Sequence, residues 1–302
     1  MYDTIIIGAG IAGMTAAIYA ARKNMKFEII SSEFGGQFML SGEVLNYPGI
    51  VKTTGAEFAS IMEEQMKFNN VKVVGENVKE VKKKKDSFTV VTNKKKYDTK
   101  TIIITTGARA RKINVPGEDE FARKGVAYCS ICDGPLFSGK DVAIIGGGDA
   151  ALEAVSFMEN IAKKIYLVVM LDKLIGHEYL QEKAMKNPKV KILFRAKTKE
   201  IVGEKFVTGL KYEQDGKLKE LKVQGVIIEI GRVPNTELFK DTVKLDDHGH
   251  IEIDCQCNAS VSGIFAAGDC ASGHEYQYVI AAGQGCMALI KAARYLASRK
   301  EG

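Results

Sequence analysis

The feature that most constrains the fold is a short apolar run that leads directly into three closely spaced glycines. Residues 3–7 end in three consecutive isoleucines and form a short run that fits a buried parallel strand. Gly8, Gly10 and Gly13 follow, and residues 14–22 have the spacing of a helix. In such a strand–turn–helix unit the glycines permit a tight turn and a close approach of the backbone, and the helix N-terminus favours a phosphate. The pattern therefore predicts a dinucleotide-binding unit at the start of the chain.

A carboxylate after the next predicted strand strengthens this prediction. Residues 27–30 form a second apolar run. Glu33 follows it, about 20 residues after Gly13, where a carboxylate accepts a hydrogen bond from a ribose hydroxyl. Residues 101–106 form another apolar strand, which ends at Gly107. Strands of this kind separated by helices indicate an α/β fold.

The same unit occurs a second time in the chain. Residues 142–145 form a strand, and Gly146, Gly148 and Ala151 open a second helix as the small residues of a second dinucleotide turn. Residues 226–230 repeat the strand that ends in a glycine. We therefore predict two Rossmann-like dinucleotide-binding domains.

The last part of the chain returns to the first unit. Residues 263–267 form a strand that ends at Gly268 and Asp269, and residues 277–296 are small and apolar at helical spacing. A helix that begins there points its positive end at a bound ring. We expect the first domain to be discontinuous, with the second domain inserted into it. The three predicted segments are residues 1–112, 113–241 and 242–302.

A pair of cysteines, in Cys129-Ser130-Ile131-Cys132-Asp133, precedes the second strand–turn–helix motif. Two cysteines at this spacing close and reopen a small disulfide when one sulfur becomes a thiolate. The chain has no apolar run of membrane-span length and no secretory leader pattern at its N-terminus, so we expect a cytoplasmic protein, in which structural disulfides are rare. We interpret Cys129 and Cys132 as a redox pair, with Asp133 as a neighbouring acid.

The other cysteines leave one alternative. Cys255 and Cys257 would complete a zinc site with the redox pair, but structural zinc sites commonly use compact paired clusters, and we expect no metal. Cys270 and Cys286 lie among small residues, and we expect both to be packing residues. The four histidines lie in predicted turns and loops and are expected at the surface: His177, His248, His250 and His274.

The net charge of +6 is mildly basic. Lysines cluster at residues 82–85 and 94–96, and we interpret them as solvated strand ends that discourage edge pairing. Docking of an acidic partner is the alternative. No aromatic or helical pattern accompanies the charge, which argues against a nucleic-acid partner.

The order of these motifs resembles that of low-molecular-weight thioredoxin reductases over nearly the whole chain. The segments that carry the resemblance are Gly8-x-Gly-x-x-Gly13, Gly35-Gly36-Gln37, Asn46-Tyr47-Pro48-Gly49, Cys129-x-x-Cys132-Asp133-Gly134, Gly146-x-Gly148 and Gly268-Asp269. Residues 127–137 also resemble the reductase part of alkyl hydroperoxide reductase flavoproteins. The resemblance implies two three-layer ββα domains, FAD in the discontinuous domain, a homodimer, and thioredoxin or a similar redoxin as the partner.

The resemblance also implies roles for single residues. Cys132 is similar in place to the flavin-facing sulfur, Cys129 to the thiol that attacks the partner's disulfide, and Asp133 to the general acid. The residues expected to bind FAD are Gly8, Gly10, Gly13, Glu33, Gly36, Gln37, Asn46, Gly107, Gly268, Asp269, Gln277 and Tyr278. A second nucleotide would lie against Gly146, Gly148 and Ala151.

The second unit departs from the family pattern where NADPH would bind. Most thioredoxin reductases carry His-Arg-Arg-x-x-x-Arg there, whereas the aligned residues are Val169, Met170, Leu171 and Ile175. Four apolar residues cannot bind a 2′-phosphate, which favours bidentate arginine. The strand end also lacks the carboxylate that NADH favours. The sequence therefore lacks both the arginines that typically bind NADPH and the carboxylate that typically binds NADH.

A second departure is Tyr276-Gln277-Tyr278, which resembles ferredoxin-dependent flavin thioredoxin reductases; packing of these tyrosines in the core is the alternative. The electron donor therefore stays open between NADPH, NADH, ferredoxin and a deazaflavin. Two further functions stay open as well. One is an NAD(P)H-dependent reductase of a peroxiredoxin or another redoxin, and the other is a flavin-binding redox sensor without steady turnover.

Overall fold

The computed structural model describes residues 1–40, 43–44, 46–273 and 276–299. The chain divides into two compact units. The first is discontinuous and combines Met1–Arg109 with Val233–Gly302, and the second is Ala110–Arg232. Both units contain a parallel sheet with helices, which confirms the predicted α/β class. The domain boundaries predicted at residues 112 and 241 stay predictions.

The strands have the following bounds in chain order: Tyr2–Ala9 (β1), Phe27–Phe34 (β2), Glu43–Val44 (β3), Thr53–Thr54 (β4), Val73–Val74 (β5), Val78–Lys83 (β6), Phe88–Thr92 (β7), Lys96–Ile104 (β8), Ala108–Ala110 (β9), Val126–Ala127 (β10), Asp141–Ile145 (β11), Lys164–Val168 (β12), Val190–Leu193 (β13), Lys197–Gly203 (β14), Val207–Gln214 (β15), Lys217–Lys222 (β16), Gly225–Ile228 (β17), Arg232–Pro234 (β18) and Ile264–Ala266 (β19). The α-helices are Ile11–Arg22 (α1), Gly55–Phe68 (α2), Ser130–Asp133 (α3), Asp149–Met158 (α4), Glu178–Lys186 (α5) and Tyr278–Ser298 (α6). Short 3-10 helices cover Gly36–Leu40, Gly134–Phe137 and Glu237–Phe239.

The sheet of the first unit has the strand order β5-β2-β1-β8-β7-β6, and β19 pairs with β8. Strands β1, β2, β5, β8 and β19 are parallel, while β6 and β7 are antiparallel to their neighbours. The alternation of residues 71–97 predicts a small antiparallel meander, and the apolar run at residues 101–106 predicts a separate strand. The structure joins the two in β8, because residues 98–100 contain no glycine or proline to interrupt the strand.

Small residues let the helices of the first unit pack closely. Gly285 of α6 lies so near α1 that a Cβ atom there would be 2.1 Å from the carbonyl oxygen of Ala12. Ala16, Ala288 and Ala292 are fully buried in the same core. The segment after residue 233 is therefore an integral part of the first unit.

Helix α2 shows how a local signal sets an element's start. Thr54 is its N-cap, and its hydroxyl accepts a hydrogen bond from the amide of Glu57 at 3.2 Å. The Glu57 carboxylate accepts one in return from the amide of Thr54 at 2.8 Å. This capping box satisfies two donors that a helix start leaves without partners. The spacing of apolar residues over 55–68 predicts a helix, and α2 has these bounds.

The second unit contains the parallel sheet β10-β17-β11-β12-β13 and the antiparallel sheet β14-β15-β16. Residues 190–224 alternate as residues 71–97 do, and this pattern predicts a second meander. Its first part, β13, instead pairs in parallel with β12 as the edge strand, because Ile192 and Leu193 continue the apolar layer of that sheet. Among the residues that the structure describes, no helix is both long and apolar enough to cross a bilayer.

Candidate redox and cofactor site

A cavity of about 480 Å³ opens in the first unit beside the glycine turn between β1 and α1. Most of the residues that the sequence assigns to FAD line this cavity. They are Gly8, Gly10, Glu33, Gly36, Gln37, Gly107, Gly268, Asp269 and Tyr278. Their assignment to FAD stays a prediction, but the fold gathers them from four separate stretches of the chain around one space.

The glycine turn has the shape that a dinucleotide requires. Gly8 has φ +111°, and a Cβ atom there would be 2.3 Å from the carbonyl oxygen of Thr105. A Cβ atom at Gly13 would be 2.0 Å from the carbonyl oxygen of Gly8, so the helix packs directly on the turn. At Gly10, by contrast, a Cβ atom would meet no atom within 4 Å, because this glycine faces open space. The backbone therefore leaves room for a pyrophosphate at the positive end of α1.

The carboxylates of the cavity suit the rest of a dinucleotide. Glu33 is exposed near the end of β2, where its oxygens can accept hydrogen bonds from a ribose, and its backbone carbonyl accepts one from the hydroxyl of Ser31 at 2.6 Å. Asp269 lies beside Gly268, whose amide donates to the side chain of Gln284 at 2.8 Å. Glycine backbone, a helix N-terminus and an exposed carboxylate near the end of β2 together fit the ADP half of FAD.

Asn235 is a residue of the cavity that the sequence reasoning missed. Its side chain donates to the carbonyl oxygen of Thr106 at 2.9 Å, and its amide donates to that of Gly107 at 2.9 Å. Arg109 in turn donates to the Asn235 side chain at 2.7 Å. Asn235 thus fixes the turn that follows β8, and only its place after the turn at Gly231 in the sequence hints at this role.

Two of the predicted FAD residues contact each other and do not line the cavity. The side chain of Asn46 donates to that of Gln277 at 3.2 Å. Gln277 is the N-cap of α6, and the next residue, Tyr278, packs near Phe38 and Phe58 with ring centroids 6.3 Å away from each. The start of α6 is therefore tied to the loop around Asn46.

The structure places Cys129 in a disulfide at the start of the short helix α3. The side chain of Cys132, the predicted partner, lies outside the described residues. The amide of Asp133 donates to the carbonyl oxygen of Cys129 at 3.1 Å, which closes the turn. Burial raises the pKa of the Asp133 carboxyl, and the nearby Arg123 cation partly opposes this. An acid with a raised pKa next to a redox pair is able to donate a proton nearer neutral pH.

Two carboxylates that the sequence reasoning missed hold the residues on either side of Cys129. Tyr128 donates through its hydroxyl to Glu118 at 2.7 Å, and the amide of Ser130 donates to Glu229 at 3.4 Å. Neither glutamate belongs to a motif, so the sequence offers no signal for them.

The second glycine turn is also closely packed. A Cβ atom at Gly146 would be 2.2 Å from the carbonyl oxygen of Glu229 and 2.9 Å from Ala151, while Gly148 meets only Ile175 at 3.8 Å. The amide of Ile175 donates to the carbonyl oxygen of Gly147 at 2.8 Å. The predicted second-nucleotide residues thus lie together.

Apolar side chains surround this turn where a 2′-phosphate would bind. Met170, Leu171 and Ile175 are exposed, at 66%, 43% and 62%, and Val169 is buried. An arginine that binds a phosphate would occupy exposed positions of this kind.

One histidine prediction is wrong. His250 is only 3% exposed, because the turn that carries it folds back when Ile251 pairs with Leu245 and Ala271. Its Nε2 atom is hydrogen-bonded to the hydroxyl of Tyr276 at 2.8 Å. His177 and His248 are exposed, and His274 lies outside the described residues.

The remaining cysteines are free in the structure. Cys257 and Cys270 are buried, Cys286 is half-buried and Cys255 is exposed. Burial raises the pKa of the Cys257 thiol to about 11, so it is a packing residue at neutral pH. Within the described ranges, no group of three or more His, Cys, Asp and Glu side chains is arranged to hold a metal ion.

A dinucleotide cradle, a second turn of the same type and a disulfide in a Cys-x-x-Cys segment define a flavoprotein oxidoreductase. The chain belongs to the pyridine nucleotide-disulphide oxidoreductase family, whose sequence profile matches residues 2–293. This membership, with the solved thioredoxin reductases described next, implies binding of FAD and of a pyridine nucleotide, and the choice between NADPH and NADH stays open.

Two relatives in sequence and two in structure show the breadth of the similarity. The chain is 40% identical over 300 residues to a Bacillus subtilis NADH dehydrogenase, covering 98% of this chain and 58% of the relative. It is 38% identical to a component of the Staphylococcus aureus alkyl hydroperoxide reductase, covering 98% and 59%. The chain therefore spans less than two thirds of the length of these relatives.

The solved structures match over their full length. Lactococcus lactis thioredoxin reductase superposes with a TM-score of 0.86 at 33% identity, with 99% of this chain and 100% of that chain covered. A ferredoxin-flavin thioredoxin reductase from Clostridium acetobutylicum gives a TM-score of 0.57 at 32% identity, with 100% and 99% covered. The resemblance to low-molecular-weight thioredoxin reductases and to the hydroperoxide reductase flavoproteins is thus confirmed.

Proposed function

We propose that this protein is an FAD-dependent disulfide reductase that passes two electrons through Cys129 and Cys132 to thioredoxin or a similar redoxin. The observation that carries the proposal is the disulfide at Cys129, which lies in a Cys-x-x-Cys-Asp segment of a chain whose other unit has a dinucleotide cradle. Bound FAD supplies the two electrons that reduce the disulfide.

The chemistry of the cysteine pair balances as an exchange of disulfides. The Cys129 thiolate attacks one sulfur of the partner's disulfide and forms a mixed disulfide, and the other partner sulfur leaves as a thiolate. Cys132 then attacks Cys129, which re-forms the internal disulfide and releases the partner as a dithiol. Asp133 donates the proton to a leaving thiolate, and burial, which raises the pKa of its carboxyl, favours the protonated acid that this step needs.

We further propose that NADPH is a poor electron donor. Exposed apolar side chains at Met170, Leu171 and Ile175 offer no cation for a 2′-phosphate. Both the NADH dehydrogenase relative and the ferredoxin-flavin neighbour are consistent with another donor, either NADH or a low-potential ferredoxin or deazaflavin. Electrons from such a ferredoxin, at about −400 mV, run downhill to thioredoxin at about −270 mV.

The decisive experiment replaces the attacking thiol. Cys129→Ser should retain FAD but lose at least about 100-fold of thioredoxin reduction, since a hydroxyl does not replace a thiolate in this exchange. Cys255→Ser is the matched control, because that thiol is exposed and free, and its activity should equal that of the parent. Retained turnover in the Cys129 variant would reject the proposed role.

A second candidate keeps the chemistry and changes the substrate. The similarity to the alkyl hydroperoxide reductase component favours a peroxiredoxin or a glutaredoxin-like protein as the acceptor. Cognate thioredoxin and peroxiredoxin, assayed side by side with one donor, separate the two candidates by their kcat/KM.

We also expect a homodimer, which sedimentation of the holoprotein tests directly.

A further inference from the structure

The backbone around Cys129 is fastened to a carboxylate on each side. Tyr128 precedes it and donates to Glu118, and Ser130 follows it and donates to Glu229. These four residues and Cys129 all belong to the second unit. The chemistry described above uses neither glutamate.

Glu118 is a structural anchor. It is 2% exposed, and its two oxygens also accept hydrogen bonds from the amides of Ile113 at 3.2 Å and Asn114 at 2.6 Å. Three donors, two of them backbone amides, hold this carboxylate in one position. It therefore fixes the backbone before Cys129.

Glu229 is held differently. Its amide donates to the carbonyl oxygen of Ile145 at 2.9 Å, and its own carbonyl abuts Gly146, so its backbone cannot shift. Its carboxyl is partly buried and accepts the 3.4 Å bond from Ser130, which is long for a charge-assisted hydrogen bond. Because this hydrogen bond is weak, the Glu229 carboxyl can gain or lose a proton without a large loss of contacts.

The charges that act on Glu229 come from three directions. Burial raises the pKa of its carboxyl to about 7, while the Ser130 amide from α3 and the Arg232 cation further along the chain oppose this rise. Glu153 of α4 adds to it by repulsion. Burial raises the pKa of Asp133, at the end of α3, and the positive charge of Arg123 acts on it to lower that pKa in part. Glu229 thus has a pKa near neutral pH, and its carboxyl accepts a hydrogen bond from the residue next to Cys129.

We propose that Glu229 is a positioning residue that controls the protonation of the Cys129 thiol by holding an ionisable carboxyl against the amide of Ser130. Reduction of the disulfide consumes two electrons and two protons and yields two thiols, and Cys129 must then lose its proton to attack. An anionic Glu229 opposes the formation of a thiolate on Cys129, whereas a neutral Glu229 does not. Ionisation of this carboxyl and ionisation of the Cys129 thiol therefore influence each other.

The test follows the reactivity of Cys129 in the reduced holoprotein. Anaerobic dithiothreitol, which becomes a cyclic disulfide, supplies the two electrons and two protons and is then removed. Iodoacetamide labels the thiolate, and tandem mass spectrometry locates the label on Cys129. Rates are compared between the parent and Glu229→Gln, which keeps the size and an acceptor oxygen for Ser130 but cannot ionise.

The expected result is a difference that depends on pH. At about pH 8 the Gln variant should react roughly two- to threefold faster, because loss of the negative charge favours the thiolate of Cys129 and its weaker nucleophilicity offsets part of the gain. At about pH 5.5, where Glu229 of the parent is protonated, the ratio should approach one. A purely structural role would give the same ratio at both values.

Controls keep the proposal open to refutation. Glu120→Gln removes an exposed carboxylate from the same unit and should leave the rate unchanged at both values. Glu229→Ala removes the acceptor as well and should show the same dependence on pH if it folds; the Gln variant decides if it does not. Equal ratios at both pH values, or no acceleration, would overturn the proposal.

This inference rests on the proposed function only in that Cys129 becomes a thiol. The labelling needs neither a physiological donor nor a redoxin. If Cys129→Ser retains thioredoxin turnover while the labelling ratio depends on pH, the proposed function fails and this inference stands. If Cys129→Ser loses thioredoxin turnover while the labelling ratio does not depend on pH, the proposed function stands and this inference fails.

Discussion

The side chain of Asn46 donates a hydrogen bond to that of Gln277 at 3.2 Å, although 231 positions separate them in the chain. Both residues belong to the first unit, one from each of its two segments. The resemblance assigns both to the flavin ring. Their contact makes them a pair, because a change at either residue removes the same hydrogen bond.

A double-mutant cycle on this pair should show coupling. Asn46→Ala and Gln277→Ala should each weaken FAD binding. The double variant should lose about 0.5–1 kcal/mol less binding free energy than the two single variants lose together, because both remove the same hydrogen bond. The dissociation constant of FAD, from quenching of its fluorescence, measures this. Asn46→Ala combined with Asn69→Ala, a change on the exposed end of α2, should be additive. Additivity in the first pair would show that the two side chains act separately.

A methyl group at Gly13 should disrupt the cradle. Its Cβ atom would be 2.0 Å from the carbonyl oxygen of Gly8, so α1 must move away from the turn. We expect Gly13→Ala to lose about 1–3 kcal/mol of stability through overpacking and to purify with little FAD. Gly283→Ala is the control, because a Cβ atom there meets nothing within 4 Å, and it should gain up to about 1 kcal/mol of helix stability. Urea unfolding and the visible absorbance of the flavin report the two effects.

Arginines should convert the second unit toward NADPH. The combined change Met170→Arg, Leu171→Arg and Ile175→Arg alters only exposed side chains, so the fold should tolerate it. Anaerobic bleaching of the flavin by NADPH should become at least about tenfold faster, because the guanidinium groups bind the 2′-phosphate. Bleaching by NADH should change little, which makes NADH the internal control. Rapid bleaching of the parent by micromolar NADPH would contradict the proposal that this donor is poor.

Stability should depend on pH through Glu229. Its pKa is raised from 4.5 to about 7 in the folded chain, so the native state holds this proton more tightly than the unfolded state does. Its contribution to the free energy of unfolding is therefore greatest below about pH 4.5 and is lost as pH rises to about 7. Relative to the parent, Glu229→Gln should accordingly gain in Tm between about pH 5 and about pH 8. A Tm difference that does not change with pH would contradict the raised pKa.

The sequence predicts those structural features whose determining residues are neighbours in the chain. The turn at Gly8 and the bounds of α2 follow from neighbouring residues, through steric demand in the first case and capping in the second. Strand β8 has a polar first half that faces the meander and an apolar second half that lies in the parallel sheet. Periodicity alone therefore divides this strand into two elements.

The carboxylates beside the disulfide illustrate the other limit. Glu118 and Glu229 are separated from Cys129 by 11 and 100 positions along the chain, and only the fold brings them to its neighbours. The polar turn around His250 predicts a surface position, yet the residue is buried because the neighbouring Ile251 pairs with Leu245 and Ala271. A buried polar residue has no signature in one sequence when its partners are distant.

The divided first unit has a consequence for how the protein is made. Strand β19 and helix α6 leave the ribosome after the second unit, although β19 pairs with β8 and α6 packs on α1. The contiguous segment Ala110–Arg232 is complete before them and can fold during synthesis. Because Gly268 and Asp269, which line the cavity of the first unit, also emerge after the second unit, that cavity is complete only once the second unit has been synthesised.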